Sequence, residues 1–186
     1  MQDLWVFGYG SLMWRPGFSY ERCEPARLYG FHRAFCVYSH VHRGTPEQPG
    51  LVFGLDNGGA CRGLAFKVAG SQAEEVRHYL REREQVTLVY QEDTRPIHLL
   101  NSEARVEGLC FTVDRTHQQY AGKLPFETQV NLIAEGVGQS GHNPDYLSQT
   151  VEHLRDIGVQ DHGLEKLWEA VAEKLGRSAK SALVQM

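Results

Sequence analysis

Two short stretches of this sequence carry residue types able to do chemistry. The first is Gly8-Tyr9-Gly10-Ser11, which follows the apolar run Leu4-Trp5-Val6-Phe7 and precedes a second apolar patch, Leu12-Met13-Trp14. Closely spaced glycines let a backbone approach a ligand and present N–H groups as an anion-binding concavity, and Ser11 adds a hydroxyl. The same letters describe a plain tight turn, and spacing leaves both readings open. A dinucleotide-binding fingerprint does not fit. Its third glycine would fall at position 13, where Met13 stands, and no strand–helix–strand alternation follows. The second stretch is Tyr79-Leu80-Arg81-Glu82-Arg83-Glu84. Glu82, flanked by two arginines, reads as part of a solvated helix face. Glu84 lies four residues after Leu80, on the side that carries Val76 and Leu80, where a carboxylate is partly buried and needs partners. Pattern alone leaves Glu84 either a surface charge or an acid–base group.

Other chemistries find less support. The nine histidines include His40 and His42 two apart, with no His-Glu-x-x-His and no third clustered ligand, so no metal site is expected. There is no Gly-x-Ser-x-Gly elbow and no phosphate-binding Gly-Lys-Ser/Thr loop. Cys23, Cys36, Cys61 and Cys110 are scattered, without a Cys-x-x-Cys pair, and read as reduced thiols of a cytoplasmic protein. A formal charge of −4 without a lysine/arginine cluster argues against a nucleic-acid surface. No apolar run approaches the ~18 residues of a membrane span, and the N-terminus lacks a signal-peptide pattern.

The 186 residues, 41% apolar and 23% charged, fit one globular domain over residues 1–176 with a loose tail over 177–186. β-Branched and aromatic content predicts strands over 4–8, 27–39, 50–56 and 61–70, with a Gly/Pro-rich loop over 40–50. Over 71–86 the period changes to helical, with Ser71 as cap, Glu74 completing a capping box, and Val76, Tyr79 and Leu80 on one face. Strands resume over 87–93, 96–100 and 104–114, and helices follow over 126–138, 144–157 and 163–176. Strands first, one inserted helix, then helices predict an α+β fold around a mostly antiparallel or barrel-like sheet.

Several stretches, in order, resemble the ChaC family of γ-glutamylcyclotransferases. "WVFGYGSLMW" is similar to the family's opening substrate loop, "HRGTPEQPGLV" to its His-Arg-Gly…Pro-Gly segment and "CRGLAFKV" to a following strand. "YLREREQVTLVY" resembles the helix that bears the family's proposed catalytic glutamate, and "SGHNPDYL" a C-terminal helix start. The resemblance spans about residues 4–150. It implies a compact, mostly antiparallel β-barrel flanked by helices. It also implies a lyase that converts a γ-glutamyl amide, typically glutathione, to 5-oxoproline and the free amine, here cysteinylglycine, without metal or cofactor. Carried over, Glu84 becomes the general base and acid, and Val6, Phe7, Gly8, Tyr9, Gly10, Ser11 and Leu12 the substrate loop. Tyr120, in "HQQYAGKLP", and Tyr146 become further substrate contacts. The chain departs from the family where Gln85-Val86-Thr87-Leu88-Val89-Tyr90 replaces a Lys-Gly-Gly-Tyr continuation of that helix. Two alternatives accompany this reading: other γ-glutamyl amines or amino acids as substrates, or a non-catalytic, metabolite-binding regulator of cation transport. The expected partner is a small molecule, with no nucleic acid and no membrane, and the sequence sets no oligomeric state.

Overall fold

Strand β1 (Leu4–Gly8) pairs antiparallel with β3 (Gly50–Val68), Leu4 opposite Val68 and Gly8 opposite Leu64. In this computed structural model, which describes residues 2–176, β1, β3, β2 (Arg22–Ser39), β4 (Tyr90–Leu99) and β5 (Arg105–Val113) close into a barrel in the order β1-β3-β2-β4-β5. The β1–β3, β2–β4 and β4–β5 pairings are antiparallel, and short parallel contacts of β5 with β1 and with β3 complete the closure. The α+β, barrel-centred architecture expected from the sequence is the one observed.

The described residues fall into two compact units. The first holds residues 2–34 and Gly54–Tyr120; the second holds Phe35–Phe53 and the chain from Ala121 onward. In the first unit, α1 (Ala73–Glu84) lays Ala73, Val76 and Leu80 onto Leu4, Val6, Leu12, Phe66, Val68, Leu109 and Phe111. Burying Val76 and Leu80 contributes roughly 1.5–3 kcal/mol each, which fixes the helix's rotation and thereby the direction of its other residues. In the second unit, α2 (Phe126–Glu135), α3 (Asn143–Asp156) and α4 (His162–Lys174) pack on one another through Val130, Ile133, Leu147, Val151, Leu154, Leu167 and Val171.

Several boundaries differ from the sequence reading. The runs over 50–56 and 61–70 are one strand, because Gly58 and Gly59, at φ +101° and +72°, carry it through a bend that ordinary residues resist. The runs over 87–93 and 96–100 likewise merge into β4, and β2 begins at Arg22 instead of residue 27. The Ser71–Glu74 capping box does not form. Gln72 occupies the cap position, and no side chain caps the helix there. The helix expected to reach residue 138 stops at Glu135, because Val137–Gly138 (β6) and Gly141–His142 (β7) form a small hairpin. The other two helices shift by one or two residues, the usual fraying of helix ends. The expected tail lies outside the described residues.

Candidate active site

The glycine loop leaves β1 at Gly8 and turns at once. Met13 N–H donates to the Gly10 carbonyl (2.9 Å) and Arg15 N–H to the Ser11 carbonyl (2.8 Å), forming a 3₁₀ turn over Ser11–Met13. These bonds use the amides at and beyond the end of the turn. Among the described residues no protein acceptor takes the N–H groups of Gly10, Ser11 or Leu12, which head it. The loop is braced from beneath. Tyr9 Oη donates to the Phe111 carbonyl (3.1 Å), and Arg33 Nε donates to the Tyr9 carbonyl (2.5 Å) while its Nη2 donates to the Arg62 carbonyl (2.6 Å). Gly63 lies so close beneath the Gly8 carbonyl that a Cβ would collide with it. Gly10 itself has φ −136°; the left-handed residue is Gly17 (φ +76°), where the Tyr79 hydroxyl fills the space a side chain would need.

The second half of the site is the end of α1. Leu80 is fully buried, and Glu84, one turn further on the same face, is the last helical residue with its side chain 18% exposed. Glu82 lies about 200° around the helix from Glu84, with its side chain 69% exposed and facing His78 at 3.4 Å. Burial lifts the Glu84 carboxyl above the ordinary glutamate range, and the Arg83 guanidinium, 3.3 Å away, partly offsets that lift. The position at the helix C-terminus, where carbonyl dipoles accumulate, also favours the neutral acid.

The residues singled out in the sequence do not all play the same structural part. Val6, Phe7 and Leu12 have side chains in the core, so they can offer a ligand only main chain. Of the loop residues singled out, Ser11 is linked to Glu84 through Arg83, whose Nη2 donates to Ser11 Oγ (3.0 Å) and whose Nε faces Glu84 Oε1, while Gly8, Tyr9 and Gly10 precede Ser11 in the loop. Tyr120 Oη donates to Asp56 Oδ2 (2.8 Å). Tyr146, in the second unit, packs on Phe35 and Phe53 with its hydroxyl accepting the Phe53 N–H (3.4 Å). Arg33, Gly63 and Arg83 escaped the sequence reading. An arginine within the strand run over 27–39, Arg33, was the signal available. Among the described residues no group of three His, Cys, Asp or Glu side chains is placed to hold a metal ion, and no helix is long and apolar enough to cross a membrane.

The family model for ChaC-like proteins matches residues 4–174, which include the whole loop and the helix bearing Glu84. The chain belongs to the ChaC-like family. Among curated relatives, the glutathione-specific γ-glutamylcyclotransferase of Escherichia coli K12 is 33% identical over 175 residues, covering 94% of this chain and 75% of that protein. Glutathione-specific γ-glutamylcyclotransferase 1 of Danio rerio is 37% identical over 158 residues, covering 82% and 80%. The solved yeast γ-glutamylcyclotransferase specific to glutathione superposes with a TM-score of 0.84 at 25% identity, covering 93% of this chain and 97% of that one. Within this ChaC-like fold, the glycine loop and Glu84 belong to the same compact unit.

Proposed function

We propose that this protein is a lyase, a γ-glutamylcyclotransferase that converts glutathione to 5-oxoproline and cysteinylglycine, with Glu84 as general base and acid. The observation that carries the reading is the pairing of a poorly exposed, elevated glutamate with a loop whose Gly10, Ser11 and Leu12 amides have no described protein acceptor. Glutathione-specific γ-glutamylcyclotransferases among its relatives support the choice of substrate.

The chemistry suits so small a set of groups. The α-amino nitrogen of the γ-glutamyl residue attacks its own γ-carbonyl carbon, the new C–N bond closes a five-membered lactam, and the amide C–N bond to cysteinylglycine breaks. The attacking nitrogen passes from ammonium to lactam N–H and loses two protons, and the departing nitrogen takes up two, so cysteinylglycine leaves as its ammonium form. Holding the nitrogen against its own carbonyl supplies the proximity that a bimolecular reaction lacks. With ordinary values near ~4.3 for a glutamate and ~8 for an α-ammonium, direct proton transfer is uphill by about 5 kcal/mol. The elevated Glu84 carboxyl narrows that gap and, once protonated, can pass the proton to the leaving nitrogen. The loop amides are suited to receive either the substrate α-carboxylate or the oxyanion that develops on the γ-carbonyl.

A cysteine nucleophile is not needed. Burial pushes the Cys110 thiol up to about 12 and the Cys23 thiol up to about 11, so neither is a ready thiolate. None of the four cysteines is joined in a disulfide, which supports a cytoplasmic, reducing setting, and the family match across residues 4–174 supports treating residues 1–176 as one functional domain. The test is to incubate the purified protein with glutathione and, separately, γ-glutamyl-alanine. Release of 5-oxoproline with cysteinylglycine from glutathione in preference to γ-glutamyl-alanine is the expected result. The reverse preference would reassign the substrate, and no 5-oxoproline from either would overturn the enzyme.

A further inference from the structure

Arg83 and Glu84 are consecutive residues of one helix, and consecutive helical side chains ordinarily diverge by about 100°. Here they meet at 3.3 Å. The Arg83 side chain is drawn toward the loop. Nη2 donates to Ser11 Oγ (3.0 Å), and Nη1 donates to the Arg15 carbonyl (2.5 Å), the Pro16 carbonyl (3.2 Å) and the Tyr79 hydroxyl (3.0 Å). The planar fork is thus turned to the loop, and the Nε edge is left toward Glu84. A lysine, with one nitrogen, cannot span both.

Three other charged side chains of this helix have partners of their own. Arg77 and Arg81 both bind Glu92 on β4, and Glu82 faces His78 in solvent. From the loop, Ser11 and the Arg15 and Pro16 carbonyls face Arg83, and β4 offers the Tyr90 carbonyl to Gln85 Nε2; none of these is charged. Among the described residues Arg83 is therefore the cation that acts on Glu84.

We propose that Arg83 is a positioning residue that ties the substrate loop to the acid–base glutamate, so that one guanidinium sets both the loop's hold on the γ-glutamyl group and the ionisation of Glu84. The inference rests on the cyclotransferase reading and adds a specific dependence of binding and pH profile on one side chain. Removing the cation removes the group that opposes the effect of burial, so Glu84 will take up its proton at higher pH. Removing the fork frees Ser11 and the following turn, so substrate binding will weaken.

The experiment compares the parent with Arg83→Gln, Arg83→Lys and Ser11→Ala. It records 5-oxoproline release against pH, thermal unfolding, and the midpoint of the Glu84 carboxyl by ¹³C NMR, assigned by its loss in Glu84→Gln. Arg83→Gln is expected to raise KM about tenfold and to move both the acid limb of kcat/KM and the carboxyl midpoint to higher pH. Arg83→Lys should raise KM while moving the limb less. Ser11→Ala should raise KM about threefold with the limb in place. An Arg83→Gln protein whose rate falls without a shift of limb or midpoint would reduce Arg83 to a structural brace and overturn the proposal. Should Arg83→Gln fail to fold, an unchanged KM in both Arg83→Lys and Ser11→Ala would do the same. A parent that releases no 5-oxoproline removes the cyclotransferase reading instead, while the carboxyl midpoint, which needs no substrate, still decides the link between Arg83 and Glu84.

Discussion

Asp56 and Glu84 are both poorly exposed carboxylates of the same unit, and their surroundings push them in opposite directions. Burial raises Asp56 too, but Arg115 Nε (2.6 Å), the Tyr120 hydroxyl (2.8 Å) and the Asn57 N–H (2.9 Å) together hold its carboxyl below the ordinary range. Glu84 faces one guanidinium at 3.3 Å, and burial prevails. A carboxylate saturated with donors is a brace whose charge is permanent at neutral pH. One that is desolvated and sparsely partnered exchanges its proton nearer the pH of the cell. The contrast separates a corner that braces the fold from the helix end proposed to do the chemistry.

The largest effect that sharpens this contrast is on rate. Glu84→Gln preserves shape but accepts no proton, so turnover should fall by about 10²–10⁴, some 3–5 kcal/mol of barrier. Glu82→Gln, two residues away and exposed, should leave turnover essentially where it was. A dead Glu82→Gln protein would mean that the helix presents the other face to the substrate. Next comes Asp56→Ala, which leaves the Tyr120 hydroxyl and the Asn57 N–H without their acceptor. It should cost about 2–3 kcal/mol in denaturant unfolding while the acid limb of the rate profile stays in place. A stable Asp56→Ala protein with a displaced limb would exchange the roles of the two carboxylates.

The smallest effect concerns stability against pH, and here the two residues should differ in sign. Asp56 has a lowered folded value, so its contribution is present above the unfolded value near ~3.9 and is lost as pH falls through the folded one. Glu84 has a raised folded value, so its contribution is present below the unfolded value near ~4.3 and is lost as pH rises through the folded one. Glu84→Gln should therefore be slightly more stable than the parent at pH 8, by less than about 1 kcal/mol, with the difference vanishing below about pH 4. Thermal unfolding of both proteins across that range measures it. A parent more stable than Glu84→Gln at pH 8 would show that the carboxylate is a brace after all.

Much of the frame is legible in the sequence because it depends on local periodicity. The apolar spacing of Val76 and Leu80 places α1 and, through it, sets Glu84 apart from Glu82 on the pattern of residues alone. The family resemblance supplies the reaction, which the residue types and their spacing leave open. What stays hidden depends on distance along the chain. Asp56 meets Arg115 and Tyr120, 59 and 64 residues on, and Ser11 meets Arg83 across 72 residues, so no local pattern announces either cluster. The fusion of two predicted strands into β3 escapes for another reason: paired glycines read as a break, whereas at positive φ Gly58 and Gly59 continue the strand through a bend.

In the proposed mechanism Glu84 performs the proton transfer because its surroundings hold its carboxyl above the ordinary range. Site-resolved ¹³C titration of the Glu84 and Asp56 carboxyls, set beside the pH dependence of kcat/KM for glutathione, tests it most directly. The expected result is a Glu84 midpoint above ~4.3 that coincides with the acid limb, and an Asp56 midpoint below ~3.9 that does not. A Glu84 midpoint at or below the ordinary value, or an acid limb that follows neither Glu84 nor its replacement by glutamine, would contradict it.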